Sequence, residues 1–264
     1  MAGNCKYYKR EMYVSMDSGQ TWSGTGVYSQ GALIESASTD CEHDYSTQYL
    51  TFRPNGDTEY WFSYGVEYGI IYYSLNSGST WTSLGSNQHT VTVHSGDTIM
   101  WRGELRVNSD AIGQFHSSGS TWEVEGNIVS VMYGSIIEDT GVYAGELRCL
   151  FSGCTGMTSA ENLVLQATTL EAYCYEGMFK GCTNLTTAPT LPALGTRQGC
   201  YYQMFSGCTN LSSVTCLATD IYATECTSNW LDGVASTGTF YCPSSTQWSS
   251  GSSGIPNGWT RVNI

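Results

Sequence analysis

Phe151-Ser-Gly-Cys154-Thr-Gly-Met157 is the first of three similar stretches in the C-terminal half of the chain. It is followed by Phe179-Lys-Gly-Cys182-Thr-Asn-Leu185 and by Phe205-Ser-Gly-Cys208-Thr-Asn-Leu211, at separations of 28 and then 26 residues. A repeat period in the twenties predicts a solenoid, in which every unit stacks its apolar face on the neighbouring units. This repeat therefore decides the fold of about half of the chain.

A second recurring cysteine precedes the later copies, at Cys174, Cys200 and Cys226. Cys226 begins a fourth and degraded copy. Residues 174–179 carry apolar side chains four and five apart, which favours a short helix, and residues 185–189 favour a short strand. Residues 134–150 and 237–264 would cap the two ends of the stack. The side chains predicted to point inward are Phe151, Cys154, Phe179, Cys182, Leu185, Ala188, Leu191, Phe205, Cys208, Leu211, Val214 and Leu217.

Eight of the eleven cysteines fall between Cys149 and Cys226. Equivalent positions of a solenoid stack, so these cysteines should form two buried ladders. Buried cysteine acts as a small apolar side chain, and we therefore expect free thiols. Zinc requires closely spaced pairs of ligands, so the spacing predicts no metal site, and no cofactor is expected. The expected ladders are Cys154, Cys182 and Cys208 in one, and Cys174, Cys200 and Cys226 in the other.

Residues 1–45 are predicted to form a small β-hairpin unit. Ser15-Met-Asp17-Ser-Gly19-Gln-Thr21-Trp22 fits the Asp-box pattern S-x-D-x-G-x-T-W. In this pattern the Ser and Asp side chains bond the backbone of their own turn and the Trp packs on the hairpin, which makes it a structural staple. A near-copy with Asn in place of Asp spans residues 74–81. Cys5 and Cys41 lie near the two ends of the unit, and the sequence leaves open whether they pair.

Residues 46–133 alternate apolar and polar side chains with period two, between turn residues such as Asn55-Gly56. Short strands at that spacing predict an antiparallel β-sandwich. No Pro/Gly-rich linker separates this segment from the repeats, so we expect it to pack directly on the first repeat and to cap it. The strand candidates are residues 49–53, 70–75, 90–94, 98–102, 121–125 and 127–133.

The composition argues against several classes of partner. A formal charge of −13 with only 10 Lys and Arg leaves few cations to neutralise phosphates, which argues against nucleic acids and anionic membranes. The first ten residues lack the apolar core of a signal peptide, and no apolar run is long enough for membrane insertion. The 19 tyrosines and 8 tryptophans either pack the sheets or form an aromatic contact surface. The candidate contact residues are Tyr173, Tyr175, Tyr201, Tyr202, Tyr222 and Trp230.

The sequence offers little support for catalysis. Asp boxes occur in sialidase-like propellers, but such an enzyme needs several blades and a cluster of arginines. Glu123 and Glu125 share one face of a strand and could in principle hydrolyse a glycoside, although paired acids more often mark a solvated face. The four histidines lack a triad context. We therefore expect no enzyme, and the sequence leaves open whether an oxygen-rich turn binds Ca²⁺.

The repeats resemble the BspA-type leucine-rich repeats of bacterial surface proteins, in the Cys- and Thr-rich variant of gut Bacteroidales and their phages. The resemblance covers roughly the last half of the chain and rests on residues 160–185 and 216–259. That family is a binding and adhesion scaffold. The resemblance implies a multidomain, mainly β fold with some short helices, in which residues 134–264 form a short leucine-rich-repeat solenoid.

The opening of the chain, residues 5–41, is similar to the openings of proteins from crAss-like and other gut phages. The two resemblances imply a non-enzymatic virion structural protein, such as a tail fibre, a baseplate appendage or a head decoration. Residues 1–45 would dock to other virion proteins, and the repeats would attach to a host surface glycan or protein. Phage fibres suggest a homotrimer, and release by lysis would replace a signal peptide. The alternative is a cell-surface adhesin of a Bacteroidales bacterium.

Overall fold

The computed structural model shows a mainly β protein, as the sequence predicts. The chain divides into two compact units, Met1–Asp44 and Tyr45–Ile264. The residues that the structure describes are 48–63, 70–85, 89–105, 113–133 and 145–264, together with the backbone of residues 7–8, 33–34 and 141–142.

The first unit is described only at two short strands, β1 (Tyr7–Tyr8) and β2 (Leu33–Ile34), which pair antiparallel. The Asp-box stretch at residues 15–22 lies outside the described residues, and so do Cys5 and Cys41. The staple and the pairing of these two cysteines therefore stay predictions.

The second unit is built from short strands and one four-residue helix, joined by tight turns. Stretches with period two form most of the strands, because alternate side chains of a strand point to opposite faces of its sheet. The elements are β3 (Leu50–Pro54), β4 (Thr58–Ser63), β5 (Ile71–Ser74), β6 (Thr82–Ser83), β7 (Val91–Val93), β8 (Ile99–Gly103), β9 (Gln114–Gly119), β10 (Trp122–Asn127), α1 (Ser130–Tyr133), β11 (Gly141–Val142), β12 (Met157–Val164), β13 (Thr169–Leu170), β14 (Ser213–Thr215), β15 (Gly238–Cys242) and β16 (Trp259–Asn263).

Two sheets pack face to face in the first part of this unit. One has the strand order β12-β10-β3-β8-β5-β6 and the other has the order β7-β4-β9. Phe52 on β3 faces Tyr60 on β4, with ring centroids 5.3 Å apart, and it contacts Phe115 on β9 at 5.1 Å. All three side chains are fully buried. The aromatic core therefore lies between the sheets, where inward-facing residues of the two sheets meet.

The strand predicted for residues 127–133 is wrong, because α1 occupies the end of that segment. Ser130, the first residue of α1, is fully buried. Its Oγ accepts a hydrogen bond from the Leu50 amide and donates one to the Trp101 carbonyl, both at 3.0 Å. The Ser130 side chain thus hydrogen-bonds backbone groups of two neighbouring strands, β3 and β8. These bonds favour the short helix over a further strand at this point of the chain.

The near-copy of the Asp box, residues 74–81, forms the expected staple. Ser74 Oγ accepts hydrogen bonds from the amides of Asn76 at 3.3 Å and Gly78 at 2.9 Å. Gly78 has a φ of +81°, a conformation that glycine adopts without steric cost. A Cβ at this glycine would lie 3.6 Å from the Trp81 ring, so the indole packs on the turn. The motif is a structural element of this hairpin.

The repeats continue the larger sheet. β10 pairs in parallel with β12, and the Phe115 amide donates a hydrogen bond to the Leu150 carbonyl at 2.8 Å. The rings of Phe115 and Phe151 stack with centroids 5.7 Å apart. The segment before the repeats therefore shares one core with the first repeat, as expected from the absence of a linker.

Each repeat opens with a run of tight turns, and the helix predicted for residues 174–179 does not form. Successive amides alternate between two kinds of acceptor. The Met178 amide donates to the carbonyl three residues back, Tyr175, at 3.2 Å, whereas the Phe179 amide donates to Met204 in the next copy at 2.9 Å. Half of the amides in these turns therefore bind one copy to the next.

A left-handed residue at every fourth position sets this path. In the second copy these residues are Tyr173, Gly177 and Gly181, with φ of +58°, +57° and +74°. A right-handed helix cannot pass through such residues, so the chain closes a series of turns instead. The same three positions are left-handed in all four copies: Gly145, Cys149 and Gly153; Tyr173, Gly177 and Gly181; Gly199, Gln203 and Gly207; Glu225, Asn229 and Gly233.

Aromatic and cysteine side chains stack in register through the copies. The ring of Phe179 lies between those of Phe151 and Phe205, at centroid distances of 5.5 and 5.4 Å. The Cys182 thiol donates to the Phe151 carbonyl and the Cys208 thiol donates to the Phe179 carbonyl, both at 3.0 Å. Each of these carbonyls also accepts the cysteine amide of its own copy, so both of its lone pairs are used.

The side chains predicted to point inward are buried, with one exception. Leu217 is half-buried, and Cys216 takes the inward position instead. The reason is that the chain stays extended from β14 to the bridge at Cys216, so Val214 and Cys216, two residues apart, point to the same side. The strand predicted for residues 185–189 is reduced to single bridges at Thr187.

Both predicted caps take part in the stack. In residues 237–264, β15 pairs in parallel with β14 and with β16, which adds two rungs to the sheet. The rings of Trp230 and Trp248 stack there at 5.2 Å. Residues 145–150 of the leading segment already belong to the first set of turns, and the earlier part of that segment is described only at β11.

The nine cysteines within the described residues are free thiols, and the burial of eight of them predicts low reactivity. Burial raises the pKa of Cys154, Cys200 and Cys216 to about 12, so almost no thiolate exists there at neutral pH. We expect iodoacetamide to leave these three thiols unlabelled in the folded protein and to reach the half-buried Cys149 first. Mass spectrometry of peptides from native and urea-unfolded samples measures this. Labelling of Cys216 as fast as Cys149 in the native sample would contradict the prediction.

Candidate functional site

Three of the six candidate contact residues are buried, which corrects their assignment as a contact surface. Tyr175, Tyr201 and Trp230 are at most 1% exposed. The two tyrosine rings stack at 6.0 Å and Tyr201 continues to Trp230 at 6.1 Å, so these residues form a second aromatic column inside the repeats. Tyr222 is 80% exposed and stays a candidate contact by itself.

The structure brings the remaining two candidates together in one cleft of about 240 Å³. Its lining residues are Tyr173, Tyr202, Arg148, Glu176 and Glu225. They come from four successive copies of the repeat, so the cleft exists only because the copies stack.

Two columns of equivalent positions form the cleft. In each copy the residue of the second column follows that of the first by three positions. Its amide donates a hydrogen bond to the carbonyl of the first-column residue, which closes a tight turn. In the first column two copies carry glycine, and the missing side chains leave space beside the residues that remain. The cleft therefore forms where equivalent positions of the repeat carry different residue types. The columns are Gly145, Tyr173, Gly199 and Glu225 in the first, and Arg148, Glu176, Tyr202 and Ser228 in the second.

One ion pair lies at the cleft. Arg148 Nη2 is 2.8 Å from Glu176 Oε1, and the two side chains are 35% and 15% exposed. Partial burial of both groups makes this pair stronger than one on an open surface. The pair neutralises its own charges, and no ion pair among the described residues involves Glu225. Glu225 is thus the uncompensated charge of the cleft.

Two of the lining residues hold strained backbone. Tyr173 and Glu225 have φ of +58° and +56°, at the position where the other two copies have Gly145 and Gly199. A residue with a side chain pays about 1–2 kcal/mol for this conformation. A Cβ at Gly199 would overlap the ring of Tyr173, so that ring lies over the glycine of the next copy. Such outliers occur at binding sites, although Gln203 holds the same conformation without lining the cleft.

The paired acids Glu123 and Glu125 and the histidine His116 are accounted for by local structural contacts. Glu125 is only 5% exposed and lies 2.6 Å from Arg53 Nη2, whereas Glu123 is exposed, so the two acids do not face one site. Ser63 Oγ and His116 Nε2 are 2.9 Å apart, and burial lowers the pKa of His116, which keeps it neutral at pH 7. Among the described residues, no group of three or more His, Cys, Asp or Glu side chains could hold a metal ion.

Only Tyr173 and Tyr202 of the five lining residues are predicted from the sequence. The signal for the others is a change of residue type between equivalent positions, Gly-Tyr-Gly-Glu at one and Arg-Glu-Tyr-Ser at the other. By contrast, the first three copies keep Phe at the position of Phe151 and Cys at that of Cys154. The presence of a tyrosine does not by itself predict a lining residue, since Tyr175 and Tyr201 are also tyrosines and lie in the core.

The chain matches no family model, no curated protein and no solved structure. In the part of the chain that the structure describes, no helix is both long enough and apolar enough to cross a membrane.

Proposed function

We propose that the protein is a non-enzymatic virion structural protein of a gut bacteriophage and that it takes part in attachment to the host. The stacked copies would be a short BspA-type leucine-rich-repeat solenoid on a β-sandwich. Residues 1–45 would dock to other virion proteins, in a homotrimer of the kind that phage fibres form. The resemblance of the repeats and of the opening residues supports the virion assignment. The observation that carries attachment is the cleft formed by Arg148, Tyr173, Glu176, Tyr202 and Glu225.

The cleft suits attachment because its tyrosine side chains project from backbone that is hydrogen-bonded to neighbouring copies. Tyrosine gives a large contact area at low entropic cost. The Tyr173 amide donates to the Gln198 carbonyl, and the Tyr202 carbonyl accepts the Gly177 amide, both at 2.9 Å. Each tyrosine backbone is therefore tied to a neighbouring copy. Little order remains to be imposed when a ligand binds, which favours affinity for a host surface glycan or protein.

Binding to intact host cells tests this assignment. We expect Tyr202→Ala to weaken retention of the full chain on gut Bacteroidales cells by about tenfold or more, as for an aromatic residue at the centre of a contact. Flow cytometry of the labelled protein over a panel of strains measures it. Tyr241→Ala is the matched control, since Tyr241 is half-buried and lies outside the cleft. Equal retention of Tyr202→Ala and the unchanged protein would remove the cleft from the proposal.

The virion assignment has its own test. Mass spectrometry of purified phage particles is expected to recover the chain together with the capsid and tail proteins. Recovery from the envelope of uninfected bacteria, with none in particles, would overturn the assignment and favour the cell-surface adhesin.

A further inference from the structure

We infer that the cleft takes an amino sugar and recognises it through the ammonium group. This inference rests on the proposed function and specifies the ligand class of the same site. The carboxylate of Glu225 meets the ammonium group, and the rings of Tyr173 and Tyr202 supply apolar faces for the pyranose ring.

The charge of the cleft selects a cation. Arg148 is engaged by Glu176 at 2.8 Å, so the pair offers no net charge to a ligand. Glu225 then gives the cleft one negative charge, and the whole chain carries −13. Opposite charge on the ligand raises its rate of association, while like charge opposes its approach. An acidic sugar is therefore disfavoured at this site.

The shape and the aromatic lining select a single ring. The volume of about 240 Å³ is below that of most sites for drug-sized ligands, which suits one sugar unit. Tyr173 and Tyr202 line the same cleft, and a tyrosine face attracts both an apolar surface and an ammonium group within about 6 Å of its centroid. A carboxylate beside two such faces fits a ring that carries an ammonium group.

The backbone of Glu225 is left-handed, as it is at the equivalent position of every copy. Its φ is +56°, and the first and third copies have glycine at the equivalent position. Glycine would relieve a conformational cost of about 1–2 kcal/mol there. Gln203 and Asn229 hold the same conformation outside the cleft, so the assignment of Glu225 to a ligand rests on its charge and its place beside the two tyrosines.

Two matched monosaccharides test the inference. Calorimetry of the full chain compares the methyl glycoside of glucosamine with its N-acetylated counterpart, which differ in one acetyl group and therefore in the charge on nitrogen. We expect the amine form to bind about tenfold more tightly and to lose that advantage as salt rises, because the contact is partly exposed. Equal affinity of the two forms would overturn the inference and leave the attachment function standing. Binding of Nα-acetyllysine amide as tight as that of the sugar would also overturn it, in favour of a protein ligand.

Glu225→Gln provides the second arm. It keeps the size of the side chain and is expected to abolish the preference for the amine form. Glu161→Gln is the control, because Glu161 is exposed on β12, outside the cleft, and makes the same change in net charge. An unchanged preference in Glu225→Gln would overturn the inference. If neither sugar binds, the inference fails, and retention of Tyr202→Ala on host cells decides the attachment function separately.

Discussion

Replacing Phe179 with alanine is expected to lower the free energy of unfolding by about 3–5 kcal/mol. The ring is fully buried between Phe151 and Phe205, at 5.5 and 5.4 Å. The Phe179 amide is bonded to the next copy and the Phe151 amide to this one, so the backbone cannot collapse into the cavity. Urea unfolding followed by tryptophan fluorescence measures the change.

The neighbouring Lys180 provides the control for this substitution. Lys180 is exposed, and its side chain donates one exposed hydrogen bond to Gln203 Oε1 at 2.8 Å, so Lys180→Ala should change stability by less than about 0.5 kcal/mol. Because Phe115 joins the same column, we also expect the sheets and the repeats to unfold in one transition. A loss below about 1 kcal/mol in Phe179→Ala would show that the column does not carry the stability of the fold.

The stacking of Phe179 could be predicted because the period of the copies is visible in the sequence. Equivalent residues must meet when units of one length stack, so both the phenylalanine column and the ladder through Cys182 follow from spacing alone. The cysteine ladder also has a role that the spacing does not reveal. The thiols are weak donors to phenylalanine carbonyls, a bond that an aliphatic side chain cannot make.

The turns could not be predicted from the same stretch, because two periods look alike. Apolar residues at Cys174, Met178 and Cys182 are four apart, which matches one face of a helix and equally matches a left-handed residue at every fourth position. Gly177 and Gly181 occupy two of the left-handed positions, but Tyr173 holds a left-handed backbone with a side chain, so glycine marks the pattern only in part. The pattern alone therefore favoured the commoner structure, the helix.

The sheet strand β4 was missed for a related reason. Its sequence, Thr-Glu-Tyr-Trp-Phe-Ser, places aromatic residues on both faces, and Tyr60 and Phe62 are buried while Trp61 is half-buried and stacks on His116 at 5.3 Å. Alternation is hidden when the solvent side of a strand is also aromatic. The same ambiguity explains the contact residues, because Tyr201 and Tyr202 are adjacent and only the fold decides which one lies in the core.

Gly126→Ala is expected to destabilise the protein by about 2–5 kcal/mol. Gly126 lies on β10, the strand that joins the first sheet to the repeats, and it pairs with Leu163 of β12. Its φ is +84°, a backbone conformation that costs a residue with a side chain about 1–2 kcal/mol. A Cβ would also overlap the Tyr49 carbonyl oxygen and lie 3.1 Å from that of Gln48. These are backbone atoms, so relieving the overlap requires a shift of the strand. That shift lowers the free energy of unfolding by about a further 1–3 kcal/mol.

Gly207→Ala separates the two costs. Gly207 has a φ of +77°, but a Cβ there would lie 3.6 Å from Gly181 Cα, an ordinary contact, so only the conformational cost of about 1–2 kcal/mol applies. The difference between the two variants in urea unfolding therefore measures the close approach of β10 to the Tyr49 backbone. Equal losses would mean that this approach is loose enough to admit a methyl group. A larger loss in Gly126→Ala, together with a lower cooperativity of unfolding, would identify this glycine as the point where the two parts of the fold are held in register.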